Sequence, residues 1–172
     1  MKLNMLALLI VAGLVLIGSA SAASSDITVT GTVPSILQFT PPVGGAMPTL
    51  TPDTAQPITK PDSFSIKCNG AYIVTASAEA DTMAANGHML EWDPILLWVN
   101  NGHMLQNSMH LVGTGTDAFG DKDLAVIGVE LVSGTGTPLK TYNFNWAQTV
   151  SWADYPDTPY SLEVEFAANR VP

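Results

Sequence analysis

Apolar and polar side chains alternate with period two along most of the chain after Ser25. Ile27, Val29, Gly31 and Val33 alternate with Thr28, Thr30 and Thr32, the template of a strand with one buried face. Pro34 interrupts this run, a short one follows at 36–39, and Pro41-Pro42 with Gly44-Gly45 end it. From there to Asp62 the segment carries Pro48, Pro52, Pro57 and Pro61, so it reads as an extended surface loop with room for one short strand at 47–50. Phe64, Ile66 and Cys68 then alternate with Ser63, Ser65 and Lys67 before Asn69-Gly70 leads into a second run at 71–76. Two alternating runs around Asn-Gly predict a hairpin, with a single long strand bulged at Gly70 as the alternative. Cys68 falls in line with Phe64 and Ile66 and is expected to be a buried small hydrophobe.

Further strands are expected at 94–99, 109–112, 124–132, 139–146 and 148–152. The last run has the cleanest pattern: Tyr160, Leu162, Val164 and Phe166 alternate with Ser161, Glu163, Glu165 and Ala167. Gly113-Thr114-Gly115-Thr116 and Ser133-Gly134-Thr135-Gly136-Thr137 read as turns, and the window 76–85 could hold one helical turn at most. Many short strands without helical periodicity predict an all-β fold, an antiparallel β-sandwich or jelly roll.

The first residues break this pattern. Lys2 precedes an uncharged run from Met5 to Ile17 and then Gly18-Ser19-Ala20-Ser21-Ala22-Ala23, which is the pattern of a secretory signal peptide. The apolar run falls short of the ~20 residues that cross a bilayer as a helix. Cleavage after Ala22 is expected, with an uncleaved anchor as the alternative. It would leave one β-sandwich domain at 23–172, secreted, at the cell surface or outside the cell, and with no membrane segment.

Composition narrows the function. Of 172 residues 47% are apolar and only 12% charged, with 14 Gly and 12 Pro, which suits a turn-rich fold with a sizeable core. The net charge is −9, and six Lys and Arg leave little to bind phosphate, so nucleic acid is not an expected partner. A single Cys excludes an intrachain disulfide and a thiolate-rich metal site.

Candidate chemistry is sparse. Asn86-Gly87-His88-Met89-Leu90 recurs as Asn101-Gly102-His103-Met104-Leu105, and His110 follows Met109. Imidazole and thioether suit copper, so His88, His103 and His110 form a candidate copper or zinc set. Adjacent His and Met point to opposite faces of a strand, so the competing reading packs Met89, Leu90, Met104 and Leu105 in the core with solvated histidines. Asp117, Asp121 and Asp123 offer the oxygen ligands of a calcium loop, without EF-hand spacing, or else a solvated acidic turn. Glu91 and Asp93 flank Trp92 at a spacing that would permit paired-carboxylate sugar chemistry, but no nucleophile motif such as G-x-S-x-G occurs and no enzyme is expected. Trp92, Trp98, Trp146 and Trp152 with Tyr142, Tyr155 and Tyr160 could supply a stacking platform for a glycan, or simply the core.

The mature chain as a whole, with its Thr-rich strand Ile27-Thr28-Val29-Thr30-Gly31, its Pro-rich segment, Phe64-Ser65-Ile66-Lys67-Cys68-Asn69-Gly70-Ala71-Tyr72, Gln148-Thr149-Val150-Ser151-Trp152 and the run 160–166, resembles small secreted β-sandwich surface proteins of archaea, methanogens especially. More distantly it is similar to WxL-type surface proteins, whose signature it lacks, and to camelysin-like biofilm fibre and archaeal bundling-pilus subunits. The resemblance implies a structural or adhesive surface protein that associates with itself or with other surface proteins. In the fibre-forming members it implies that an N-terminal strand completes the sandwich of the next subunit. Here that strand would be 26–33, with Ile27, Val29 and Val33 as pocket residues. The alternative is a soluble extracellular binding module for carbohydrate or copper.

Overall fold

A computed structural model describes residues 30–52, 56–78, 86–93, 97–98, 103–156 and 158–172. The chain divides into two units, Met1–Val33 and Pro34–Pro172. In the first, Thr30–Val33 belong to no strand and Val33 is 82% exposed. The second is all-β among the described residues, built from two antiparallel sheets.

The larger sheet is organised by two long strands, β2 (Ile58–Ala78) and β8 (Val129–Gln148), paired antiparallel along almost their whole length. The opposite edge of β2 carries β1 (Leu37–Thr40) at Ser65–Cys68 and β10 (Val164–Arg170) at Tyr72–Ala78. β6 (His110–Thr114) pairs with the end of β8, and β7 (Asp121–Asp123) closes that side. The smaller sheet centres on β3 (His88–Asp93), which pairs with β4 (Leu97–Trp98), β5 (Met104–Ser108) and β9 (Tyr160–Ser161).

Alternation explains why the two sheets face one another. Phe64, Ile66, Val74 and Ala76 of β2 are buried at 1% exposure or less, with Phe144 of β8, Leu111 of β6 and Leu105 of β5 in the same cluster. Phe64 is the hub: its ring lies 5.2 Å from Tyr142, 6.0 Å from Phe39, 6.1 Å from Phe144 and 6.4 Å from Phe166. Cys68 is buried in this core, as its place in the alternation predicts.

Several sequence expectations give way to tertiary contacts. Asn69-Gly70 makes a bulge inside β2 rather than a hairpin, so the alternative reading holds. The Asn69 amide is occupied elsewhere: Oδ1 accepts from Ile36 N at 2.8 Å and Nδ2 donates to Pro34 O at 2.6 Å. The 133–137 segment is not a turn but lies inside β8, where Gly134 faces Tyr72 and a Cβ there would stand 3.0 Å from the tyrosine hydroxyl. A cross-strand aromatic thus covers the glycine and makes a poor strand former acceptable. Pro138 sits beside another register shift, where a missing N–H costs no ladder bond.

The expected strand at 124–132 begins only at Val129, and 148–152 is irregular beyond Gln148. No strand forms at 47–50. The clean run at 160–166 is split: Tyr160–Ser161 pair with the small sheet and Val164–Arg170 with the large one, so the chain crosses between sheets at Leu162-Glu163. Of the expected strand at 94–99, Leu97–Trp98 are present and the rest lies outside the described residues, as do 79–85 of the window 76–85, whose first three residues are strand.

Truncating the hub should test the assignment of the core. Phe64→Ala is expected to cost about 3–5 kcal/mol, read as a lower urea midpoint, because the surrounding rings cannot collapse into the space.

Candidate functional site

A cleft of about 770 Å³ opens in the second unit between the irregular segment 44–52 on one side and residues 150–156 and 158–162 on the other. Its floor comes from both sheets: Met89 of β3, Leu105 of β5, Met109 just before β6 and Trp146 of β8. Met47 and Leu50 face it from one wall, Tyr155, Tyr160 and Leu162 from the other.

The first wall is rich in Pro and Gly and has no ladder to hold it, so a carboxylate does so. Asp62 lies on the inward face of β2, its side chain only 9% exposed. Its Oδ2 accepts from Trp146 Nε1 at 3.0 Å and Gly44 N at 2.9 Å, and Oδ1 from Ser63 N at 2.8 Å and Val43 N at 3.4 Å. The Lys60 ammonium, 3.8 Å from Asp62, donates to the Gly44 carbonyl. Burial alone would raise the Asp62 pKa, but the hydrogen bonds from Trp146, Ser63, Gly44 and Val43 together outweigh it and hold the carboxyl below its usual 3.8.

Two more carboxylates fasten the second wall. Asp154 accepts from Ser151 N at 2.6 Å and from Gln106 N of β5 at 2.8 Å. Glu91 Oε2 accepts from His103 N at 3.0 Å and lies 2.9 Å from His103 Nδ1, while Oε1 accepts from Thr158 Oγ1 at 2.9 Å. The hydrogen bond from the His103 backbone, then those from Thr158 and the His103 ring, lower the Glu91 pKa. The His103 ring lies flat on Tyr155, centroids 3.7 Å apart and planes 2° from parallel. Tyr160 completes the wall by donating to Tyr155 O at 2.9 Å.

The structure assembles neither candidate ligand set, although it brings His110 beside Asp121 and Asp123, its Nε2 4.0 Å from Asp123 Oδ1. His88 Nδ1 lies 2.7 Å from Leu105 O, His103 is held by Glu91, and His110 Nδ1 lies 2.7 Å from Asp121 Oδ1. Of the three aspartates, Asp117 pairs with Lys140 at 2.8 Å, Asp121 with His110, and Asp123 accepts from Ser108 Oγ at 2.6 Å and Ala125 N at 2.9 Å. Among the described residues no three His, Cys, Asp or Glu side chains are placed to hold a metal ion. Ile27 and Val29 lie outside the described residues, as does the side chain of Asp93. Both Glu91 oxygens are engaged in fastening loops.

The repeated pentapeptide is not repeated in structure. Met89 is buried in the first copy, whereas in the second Met104 is 52% exposed and Leu105 is buried at 1%. Leu90 pairs with Met104, so the inward position moves by one residue between copies, and Met104 stands outside the core that strand alternation predicts for it. The tryptophans also part: Trp146 is half-buried on the cleft floor and Trp152 is 76% exposed.

The cleft leaves no local pattern in the sequence, because its two walls are each turn-rich and about a hundred residues apart. The available signal was Asp62, an acidic residue at an inward-facing position of an alternating strand.

No protein-family model matches the chain, and no curated protein is significantly similar to it.

Asp62→Asn should lower stability by about 2 kcal/mol at neutral pH, since bonds to a buried ionised acceptor are lost or weakened. With its folded pKa lowered, the carboxylate contributes fully above about pH 4 and loses that contribution as pH falls through the folded value. Urea titrations followed by tryptophan fluorescence should therefore show wild type and variant converging as the pH is taken below 3.8.

Proposed function

We propose that this protein is a secreted surface subunit, structural or adhesive rather than catalytic, that joins neighbouring copies through residues 26–33. The observation that carries the reading is Val33: it ends a segment patterned to bury one face, yet it is 82% exposed and Thr30–Val33 belong to no strand. An exposed valine at the end of such a segment is suited to contact with another chain.

A receiving edge supports the same reading. β10 is hydrogen bonded to β2 along one side and to no other described strand, over seven residues without proline. Strand addition there would satisfy backbone groups through main-chain bonds, and alternate side chains would set the register. β7, at the other end of the sheet, has three residues, all charged, and is protected against such pairing. The leader fits export, after which partners rather than a membrane segment would retain the protein outside the cell. Other copies of this chain or other surface proteins are its partners in this reading, and nucleic acid is not.

A second reading, a binding module for a glycan, is favoured by two exposed aromatic rings, Trp152 at 76% and Tyr155 at 52%, of which Tyr155 lines the cleft.

Electron microscopy of the mature protein, beside a variant lacking 23–33, separates the two. Filaments from the full mature chain and none from the truncated one are expected. A mature protein that stays monomeric at all concentrations and salt conditions would overturn the proposal, and glycan-array binding lost in Trp152→Ala would replace it with the second reading.

A further inference from the structure

The methionines are distributed unevenly. The chain has seven, of which Met1 and Met5 lie in the leader and Met83 is outside the described residues. Of the remaining four, Met47, Met89 and Met109 all line the cleft, and Met104 alone stands apart at 52% exposure.

The register accounts for two of them. His88 is opposite Ser108, and Met109 N donates to Gly87 O at 3.0 Å, so Met89 and Met109 lie diagonally across one strand pair on the face away from His88. Diagonal neighbours have Cβ atoms roughly 7 Å apart, within reach of two long thioethers. Gly87 admits the Leu124 backbone beside this pair: at φ +75 a Cβ would stand 2.5 Å from the Leu124 carbonyl carbon, and Leu124 N donates to Met109 O at 3.0 Å. Met47 comes from the wall fastened by Asp62 and packs against the cluster that contains both other methionines.

We propose that this cleft binds a soft monovalent cation, Cu(I) or Ag(I), on the thioethers of Met47, Met89 and Met109. Thioether sulfur is neutral and polarisable and selects Cu(I) over harder ions. Leucine would fill a purely structural core with better-defined rotamers, whereas three methionines lining one open cleft supply ligands that can adjust around an ion. Asp154 and the net charge of −9 favour the approach of a cation. Cys68, the one thiol, is buried elsewhere in the core and does not line the cleft.

Thioethers carry no proton to displace, so coordination requires no deprotonation and no electron transfer when the ion is supplied as Cu(I) or Ag(I). Among the described residues the titratable groups lining the cleft are Asp154, Tyr155 and Tyr160, with no histidine among them. Affinity should therefore be the same at about pH 5.5 and about pH 7.5, whereas an imidazole site would weaken on the acid side.

The test uses the mature protein labelled with methyl-13C methionine, titrated with silver nitrate in chloride-free buffer and with Cu(I) against a competing chelator. One equivalent should shift the methyl signals of Met47, Met89 and Met109 and leave Met104 in place. Losing even an outer partner of a metal site costs about 10–100-fold in affinity, so Met47→Leu and Met109→Leu should each weaken binding at least roughly tenfold. Circular dichroism verifies that each variant is folded; should Met109→Leu fail, Met47→Leu in the loop still tests the site. Absence of stoichiometric binding, a shift confined to Met104, unchanged affinity in a folded methionine variant, or affinity that falls with acidification would each overturn the proposal.

Discussion

The pairing of β2 with β8 is the constraint on which the rest of the molecule hangs. Every other strand of the large sheet is bonded to one of these two or to β6, itself held by β8. Two strands of about twenty residues would twist away from a common core if perfectly regular. Their pairing is instead interrupted by register shifts at Ile66/Cys68, Cys68/Ala71 and Val74/Thr75. Each shift inserts an extra residue on one strand, and together they let the inward face of β2 run unbroken from Phe64 to Ala78. At the last shift the extra residue is Leu131, and it too is buried at 4% exposure, so the irregularity adds to the core.

Low charge content acquires a structural meaning around the cleft. Asp62, Glu91, Asp123 and Asp154 each accept from at least one backbone N–H in an irregular segment. Loops with many Pro and Gly have few side-chain donors and no ladder, and their N–H groups would otherwise be left to water. Asp62, which accepts from Gly44, Val43 and Ser63 as well as Trp146, does the work of several neutral side chains, and its preference for the ionised state ties the order of the 43–44 loop to pH. The acidic residues of this chain are in part internal fasteners, which distinguishes them from a merely solubilising coat.

Much of the fold was legible because period-two alternation is a local signal. It located β1, both halves of β2 and the second half of β8, and it placed Cys68 inside. It failed where a local signal was overruled from a distance. Asn69-Gly70 has the composition of a turn, but the asparagine amide is committed to Pro34 and Ile36, and the Arg170 side chain lies over the glycine. Gly134 reads as a turn until Tyr72 is seen across from it. The run at 160–166 alternates without a fault, and nothing in that pattern reveals that two sheets share it. The candidate site was the least legible part: its walls are loops remote in sequence, and what fixes them is hydrogen bonding by Asp62, Glu91 and Asp154, residues with no motif. The methionines were conspicuous in the sequence, but their grouping depended on register, which sends Met104 outward and Met89 inward from the same pentapeptide.

The Asn69 amide has a mechanical consequence. Tension applied along the chain upstream of Pro34 first meets the bonds from Asn69 Nδ2 to Pro34 O and from Ile36 N to Asn69 Oδ1, with Asn69 N to Ile36 O beside them. These three contacts lie at the middle of β2, the strand bonded to β1, β8 and β10, so the pull is delivered to the best-connected strand in the domain and not to a frayed end. The bulge that interrupts the longest strand is thus also the point where the domain is anchored against being drawn apart.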